Sequence, residues 1–202
     1  MGIQERRARE KAELHRTIIE TASRLVSEEG HENLTIRKLA RAIEYSPRTI
    51  YLYFRDKEHL LHEIVEEGFR KTLEIRQNEP PREQLSPREL TEQRLRTHAE
   101  AALSNKNFYR AVVTLLFEKN FSPGPAQRKV IAQTREDIAR LLGGDEHSEE
   151  EITDTAMIVF AAARGFALNL VNLEVQLSPE RREKLIERFV AFASAGIRYG
   201  GK

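Results

Sequence analysis

Leu34-Thr35-Ile36-Arg37-Lys38-Leu39-Ala40, followed by Ser46-Pro47-Arg48-Thr49-Ile50-Tyr51-Leu52-Tyr53-Phe54-Arg55-Asp56-Lys57, is the stretch that decides the fold. Thr35 and Ser46 are residues whose side-chain oxygens accept the free N–H groups at a helix start. Pro47 suits the first helical position, where its missing N–H costs nothing. Leu34 with Leu39, and Tyr45 with Ile50, are spaced as hydrophobic staples around those two starts. The spacing therefore predicts a short helix over Ile36 to Ile43 and a second over Pro47 to Phe54. The turn between them is Glu44-Tyr45, leading into the Ser46 cap. Ile36, Leu39, Ala40, Ile43, Ile50 and Phe54 fall on the inward faces. A longer helix over Gln4 to Glu29, ending before Gly30, supplies the third side of a small bundle.

Two short helices joined by a tight turn are the geometry of a DNA-reading helix-turn-helix. They are equally the geometry of a plain three-helix bundle with a solvated basic face. Charge placement bears on the choice. The whole chain of 202 residues carries 33 Lys or Arg against 32 Asp or Glu, a net of +1, which excludes a protein that coats nucleic acid or an acidic membrane. Yet residues 1–57 hold 12 bases and 9 acids, and Thr35 to Lys57 alone hold six bases and two acids. A sequence reader needs such a basic patch rather than a basic composition. Arg48 can donate two hydrogen bonds to a guanine, and Thr49 offers a hydroxyl and a methyl. Tyr51, Tyr53 and Lys57 suit phosphate contact.

Outward from this stretch the pattern is all helix. Apolar residues recur at three and four, and alternating β-branched runs are missing. Of the Ser-Pro pairs at 46, 86, 122 and 178, at least three read as helix starts. Ser86 with Glu89, and Ser148 with Glu151, are capping boxes. Helices are expected from about Lys57 to Gln77, then over 87–104, 107–121, 125–142, 149–177 and 179–199, with a Pro-containing linker at 78–85. The chain divides into residues 1–57, a helix-turn-helix domain, and 58–202, a domain of longer amphipathic helices, about nine helices in all.

The quoted stretch, continued through Glu58-His59-Leu60-Leu61 and preceded by Ile18-Ile19, Ala22, Leu25 and Gly30, resembles the N-terminal signature of the TetR family of transcriptional repressors. The resemblance covers residues 15 to 64. The rest of the chain is similar to that family in size and helical character. The resemblance implies a homodimer on a palindromic double-stranded DNA operator, released by a small-molecule effector held in the C-terminal domain. It implies that Thr35 and Lys57 hold phosphates, that Arg37, Arg48 and Thr49 read bases, and that Pro47, Tyr51 and Tyr53 touch backbone or a thymine methyl, with Ser46 beside them. The family usually has glycine in the turn, where this chain has Glu44. Glycine accepts a positive φ cheaply, so Glu44 is expected either to be strained there by about 1 kcal/mol or to alter the turn.

In the C-terminal half Leu185, Ile186, Phe189, Val190, Ala193 and Ile197 share one face of the last helix, which suits a dimer interface or packing within one chain. Phe69, Phe108, Phe117, Phe121, Phe160 and Phe166 line an apolar effector pocket or belong to the core. Arg164, in the middle of the most apolar helix, must meet an anion. That anion is a carboxylate of a neighbouring helix or protomer, or one on the effector, with Asn169 as a further polar group. The effector so implied is apolar with an anionic group.

Other classes find little support. Cysteine is absent, which removes disulfides and thiol chemistry and fits a cytoplasmic protein. The charged start of the chain has no apolar segment of a secretory signal. Arg164, Asn169 and Asn172 argue against Thr155 to Leu173 as a membrane span. His59, His62, Glu63 and Glu66 cluster on one helix but depart from His-Glu-x-x-His, and read as solvated surface rather than a metal site. No phosphate loop or nucleophile triad points to an enzyme, and no cofactor is expected.

Overall fold

The computed structural model describes residues 2–117, 122–143, 147–173 and 176–197. Among them the regular elements are α1 (Ile3–Glu29), α2 (Ile36–Ala42), α3 (Pro47–Tyr51), α4 (Lys57–Gln77), α5 (Pro87–Ser104), α6 (Lys106–Leu116), α7 (Pro125–Leu142), α8 (Glu149–Leu173) and α9 (Pro179–Ile197). A single 3₁₀ turn, Arg82–Gln84, interrupts the linker before α5. The protein is thus all-α, as the periodicity predicts.

The starts are set by local chemistry. Thr35 accepts from the Lys38 N–H at 3.1 Å and Ser46 from Thr49 at 3.2 Å. Ser86 and Glu89 close a reciprocal capping box, as do Ser148 and Glu151. Ser178 accepts from Arg181. Three of the four Ser-Pro pairs are caps. Ser122-Pro123 is not, and the helix nearby opens at Pro125. Asp56 starts α4 by accepting from the His59 N–H at 2.8 Å, and that bond, with Arg55 beside it, holds its carboxyl below the usual range.

α1, α4, α5 and α7 end at Glu29, Gln77, Ser104 and Leu142, as expected, whereas other ends differ. α3 stops at Tyr51, after which Tyr53 and Phe54 both donate to the Ile50 carbonyl and roll Phe54 into the core. α6 stops at Leu116 and α8 at Leu173; Phe121, a candidate pocket residue, lies outside the described residues.

Two compact units emerge. The first comprises Met1–Phe69 with Asn107–Gly124. Its core joins Ile18, Ile19, Ala22, Leu25 and Val26 of α1, the inward residues of α2 and α3, Leu60, Leu61, Ile64 and Val65 of α4, and Phe108, Ala111 and Leu115 of α6. Phe54 is fully buried there, stacked on His15 with ring centroids 5.2 Å apart. The helix-turn-helix is therefore not sealed by α1 alone; α4 and a segment from later in the chain complete its core.

The second unit comprises Arg70–Lys106 with Pro125–Lys202. In it α5 packs against α7, α8 and α9, and α8 against α7 and α9. Length and composition alone would let α8 cross a membrane, and most of its apolar stretch is not buried, but it carries Arg164 at its middle and packs against α5, α7 and α9 along one side.

Candidate functional site

The turn between α2 and α3 is a left-handed cap. The Tyr45 N–H reaches the Ala40 carbonyl at 2.9 Å and the Glu44 N–H reaches Arg41 at 3.2 Å, the paired bonds of a Schellman motif, with Glu44 at φ +59°. Glutamate thus takes the backbone conformation that glycine would supply, and the turn geometry is kept.

That turn presents α3. Arg37, Arg48 and Tyr51 are exposed, and no described residue engages either guanidinium. Thr35, Ser46 and Pro47 are exposed as well, while Thr49 shares a 2.9 Å hydrogen bond with Ser46. Tyr53 is half-buried against the core beside Phe54. Lys57 is half-buried, and its ammonium donates to the Glu32 carbonyl at 3.2 Å, which leaves two of its three donors. Leu52 is 73% exposed at the end of α3, and Tyr45 is half-exposed rather than a sealed staple. Both add apolar surface that the sequence reading did not assign. Their signal was available: neither falls on the inward face set by Ile50 and Phe54.

In the second unit a cavity of about 90 Å³ opens between the end of α4, α5, α7 and α8. Its walls are mainly apolar, from Ile75, Leu95, Ala101, Ile138, Val159, Phe160 and Ala163. One end is polar, formed by Arg76, Glu79, Arg94, His98, Thr134 and Asp137. A second hollow of about 260 Å³, with polar and apolar surface in about equal parts, shares Arg76, Glu79, Arg94 and Asp137 with it.

The charges at this end are unevenly matched. Arg82 binds Asp137 at 2.6 Å and Glu136 at 2.9 Å. Arg94 pairs with Glu79 and reaches Asp137 at 3.5 Å. Arg76 meets only neutral acceptors: Gln133 Oε1 and Thr134 Oγ1 at 3.0 Å, and the Val130 carbonyl at 3.5 Å. Burial, with Arg94 and Arg82 nearby and against the pull of Asp137, lowers the Arg76 pKa to about 10, so it remains a cation at neutral pH. His98 keeps some surface open to the cavity but is enclosed by protein. Burial, reinforced by Arg164 and Arg76, lowers its pKa to about 4 and keeps the ring neutral.

The predicted pocket residues are only partly here. Phe160 lines the cavity. Phe69 and Phe108 pack in the core of the first unit, and Phe117 is exposed. Phe166 stacks on Phe189 at 4.0 Å, and exposed Asn169 donates to the Gly165 carbonyl. Arg164 acts on His98 electrostatically but is not part of the cavity wall. The residues missed are Arg76, Arg94, His98 and Asp137. Their signal was a polar residue on an inward helical face, as with Val130, Thr134, Asp137 and Ile138 along α7.

The face of α9 expected to dimerise turns inward. Leu185, Ile186, Phe189, Val190 and Ala193 pack in one cluster of the unit's own core and Ile197 in another. The apolar side chains left outside are Phe192 of α9 and Met157, Ile158 and Leu173 of α8. His59, on the predicted histidine–glutamate cluster, accepts from the Arg55 N–H through Nδ1, and the described residues hold no group of three or more side chains placed for a metal ion.

Residues 18–64 match the family model described as "Bacterial regulatory proteins, tetR family". No curated protein matches the chain. Among solved structures it is similar to a TetR-family transcriptional regulator from Bordetella parapertussis, at 21% identity and TM-score 0.68, over 89% of this chain and 93% of that one. It is similar to the transcriptional regulator FadR from Bacillus subtilis, solved with stearoyl-CoA, at 17% identity and TM-score 0.71, over 90% and 98%. It is also similar to AibR, solved with isovaleryl coenzyme A and operator DNA, at 20% identity and TM-score 0.61, over 88% and 96%. At these identities the structures share its fold.

Proposed function

Because the chain belongs to the tetR family of bacterial regulatory proteins, we propose that it is a DNA-binding transcriptional repressor that grips a palindromic operator as a homodimer and releases it when a small effector enters the cavity of the second unit. The observation that carries the reading is the capped α2–α3 pair within the matched residues. It offers Arg37, Arg48 and Tyr51 to solvent, with neither arginine held by a partner among the described residues. An exposed guanidinium such as that of Arg48, at the start of a helix that enters the major groove, is suited to base edges, and Arg37 lies at the start of the preceding helix.

The dimer is proposed through the outer faces of α8 and α9. Phe192, Met157 and Ile158 are each more than half exposed there, and a surface of that kind favours a partner. Support for a sensor role comes from the cavity and from the structures of the same fold solved with acyl-CoA ligands. α4 begins at Lys57 beside the reader and ends at Gln77, one residue beyond Arg76. An occupant of the cavity therefore meets the helix that leads to the DNA-binding unit, and any preference it has between two settings of α4 changes operator affinity by the same factor.

The test is a titration of the purified protein with duplexes from its own promoter region, at several salt concentrations. A steep salt dependence is expected. Arg48→Ala should lower discrimination between operator and scrambled duplex, and Lys57→Ala should weaken both alike. Operator binding unchanged by both substitutions would remove α3 from the role of reader.

A further inference from the structure

We propose that the cavity of the second unit takes a short-chain organic carboxylate, with its carboxylate on Arg76 and its apolar body against Leu95, Ile138, Val159, Phe160 and Ala163. The inference rests on the proposed sensor role of this unit and names the class of effector.

The first argument is charge balance. Of the two well-buried acids at the polar end, Glu79 pairs with Arg94, and Asp137 pairs with Arg82 and reaches Arg94, while the more exposed Glu136 also pairs with Arg82. Arg76 is left with a side-chain amide, a hydroxyl and a carbonyl. Those acceptors orient the guanidinium but do not neutralise it. Asp137 acts on Arg76 from a distance but is hydrogen-bonded to Arg82, and the two neighbouring arginines oppose it. A cation held away from bulk water with no carboxylate in contact is unfavourable, and an incoming carboxylate supplies that contact. The fixed fork of an arginine suits two carboxylate oxygens at once.

The second argument is shape. Beyond Arg76 the walls are branched aliphatic and aromatic side chains. At about 90 Å³ the space is smaller than the roughly 150 Å³ cavity that accepts benzene. A body of about three or four carbons fits, and a long chain does not without rearrangement. Arg76 also borders the larger and more polar hollow, so the carboxylate would sit at the join of a wet space and a dry one. Arg164, which the sequence offers as a partner for a protein carboxylate or an effector anion, is not part of this wall.

The test uses the full chain without DNA. Butyrate and isobutyrate are titrated by calorimetry beside butyramide and isobutyramide, which match them in shape and carry no charge. Dissociation constants on the order of 1 mM are expected for the acids, and at least about tenfold weaker ones for the amides, because a charge-assisted bond is lost. Arg76→Gln should reduce acid binding to the level of the amide, and Arg164→Gln should leave it within about twofold. On acid binding the His98 ring should also become easier to protonate, followed by its NMR signals, because a negative charge then offsets the two arginines that depress it. Amides binding as well as acids, or acids binding Arg76→Gln as well as the parent, would overturn the assignment. So would the absence of acid binding. If Arg76→Gln does not fold, the acid–amide comparison on the parent chain decides alone. Operator binding is measured separately: intact operator binding without acid binding refutes the ligand class only, whereas loss of operator binding refutes the regulator reading.

Discussion

Replacing Glu44 with glycine should make the protein more stable. The residue sits at φ +59° at the left-handed position of the α2 cap, and its side chain is exposed without a partner among the described residues. A side-chain-bearing residue in that conformation costs about 1–2 kcal/mol. Glycine removes the cost but loses more freedom on folding, by about 0.5–1 kcal/mol relative to alanine. The net gain for Glu44→Gly is about 0.5–1 kcal/mol, which for a chain of this length raises Tm by about 1–4 °C. Glu44→Ala, still left-handed, should gain nothing. Glu44→Gln keeps the strain and removes only the charge, so its Tm should stay with the parent. Its operator affinity should rise at low salt, because a negative charge next to the DNA-facing helix is gone. Thermal unfolding by circular dichroism, together with an operator titration on the same four proteins, separates the two effects. A Glu44→Gly protein no more stable than Glu44→Ala would refute the strain argument. Glu44→Gln without gain in affinity would place the turn away from the DNA.

Two further outcomes are expected. Phe192→Glu places a charge in the exposed apolar face of α8 and α9 and should give a monomer at micromolar concentration by sedimentation, with weakened operator binding and near-parental helicity. His98 has its pKa lowered from 6.5 in the unfolded chain to about 4. The unfolded state therefore binds more protons between those values, and stability is full above pH 6.5 and falls as the pH drops towards 4. Full exclusion of water would make the loss on the order of 3 kcal/mol, less where cavity water reaches the ring. Urea unfolding at pH 7 and pH 4.5 should show this fall in the parent and a smaller one in His98→Gln.

The sequence by itself determined most helix starts and the helix-turn-helix. Each start depends on atoms three or four residues apart, as at Thr35 and Lys38, Ser46 and Thr49, or Ser86 and Glu89, so the information is local and can be read in order. Arg48 could be placed on the outward face because its helix is short and its inward residues, Ile50 and Phe54, are plain. Tertiary structure decided the rest. Glu44 is held left-handed because the packing of α2 and α3 fixes the turn, against the residue's own preference. The last helix offers apolar side chains in several directions, and periodicity cannot say which meet α5 and α8 and which remain for a partner; the core took Ile186 and Val190 and left Phe192. The cavity was the least legible part. Arg76 finds Thr134 58 positions away, and Arg82 finds Asp137 55 positions away. Whether a buried charge is neutralised depends on where distant helices place their acids, a property of the folded chain that local sequence does not encode.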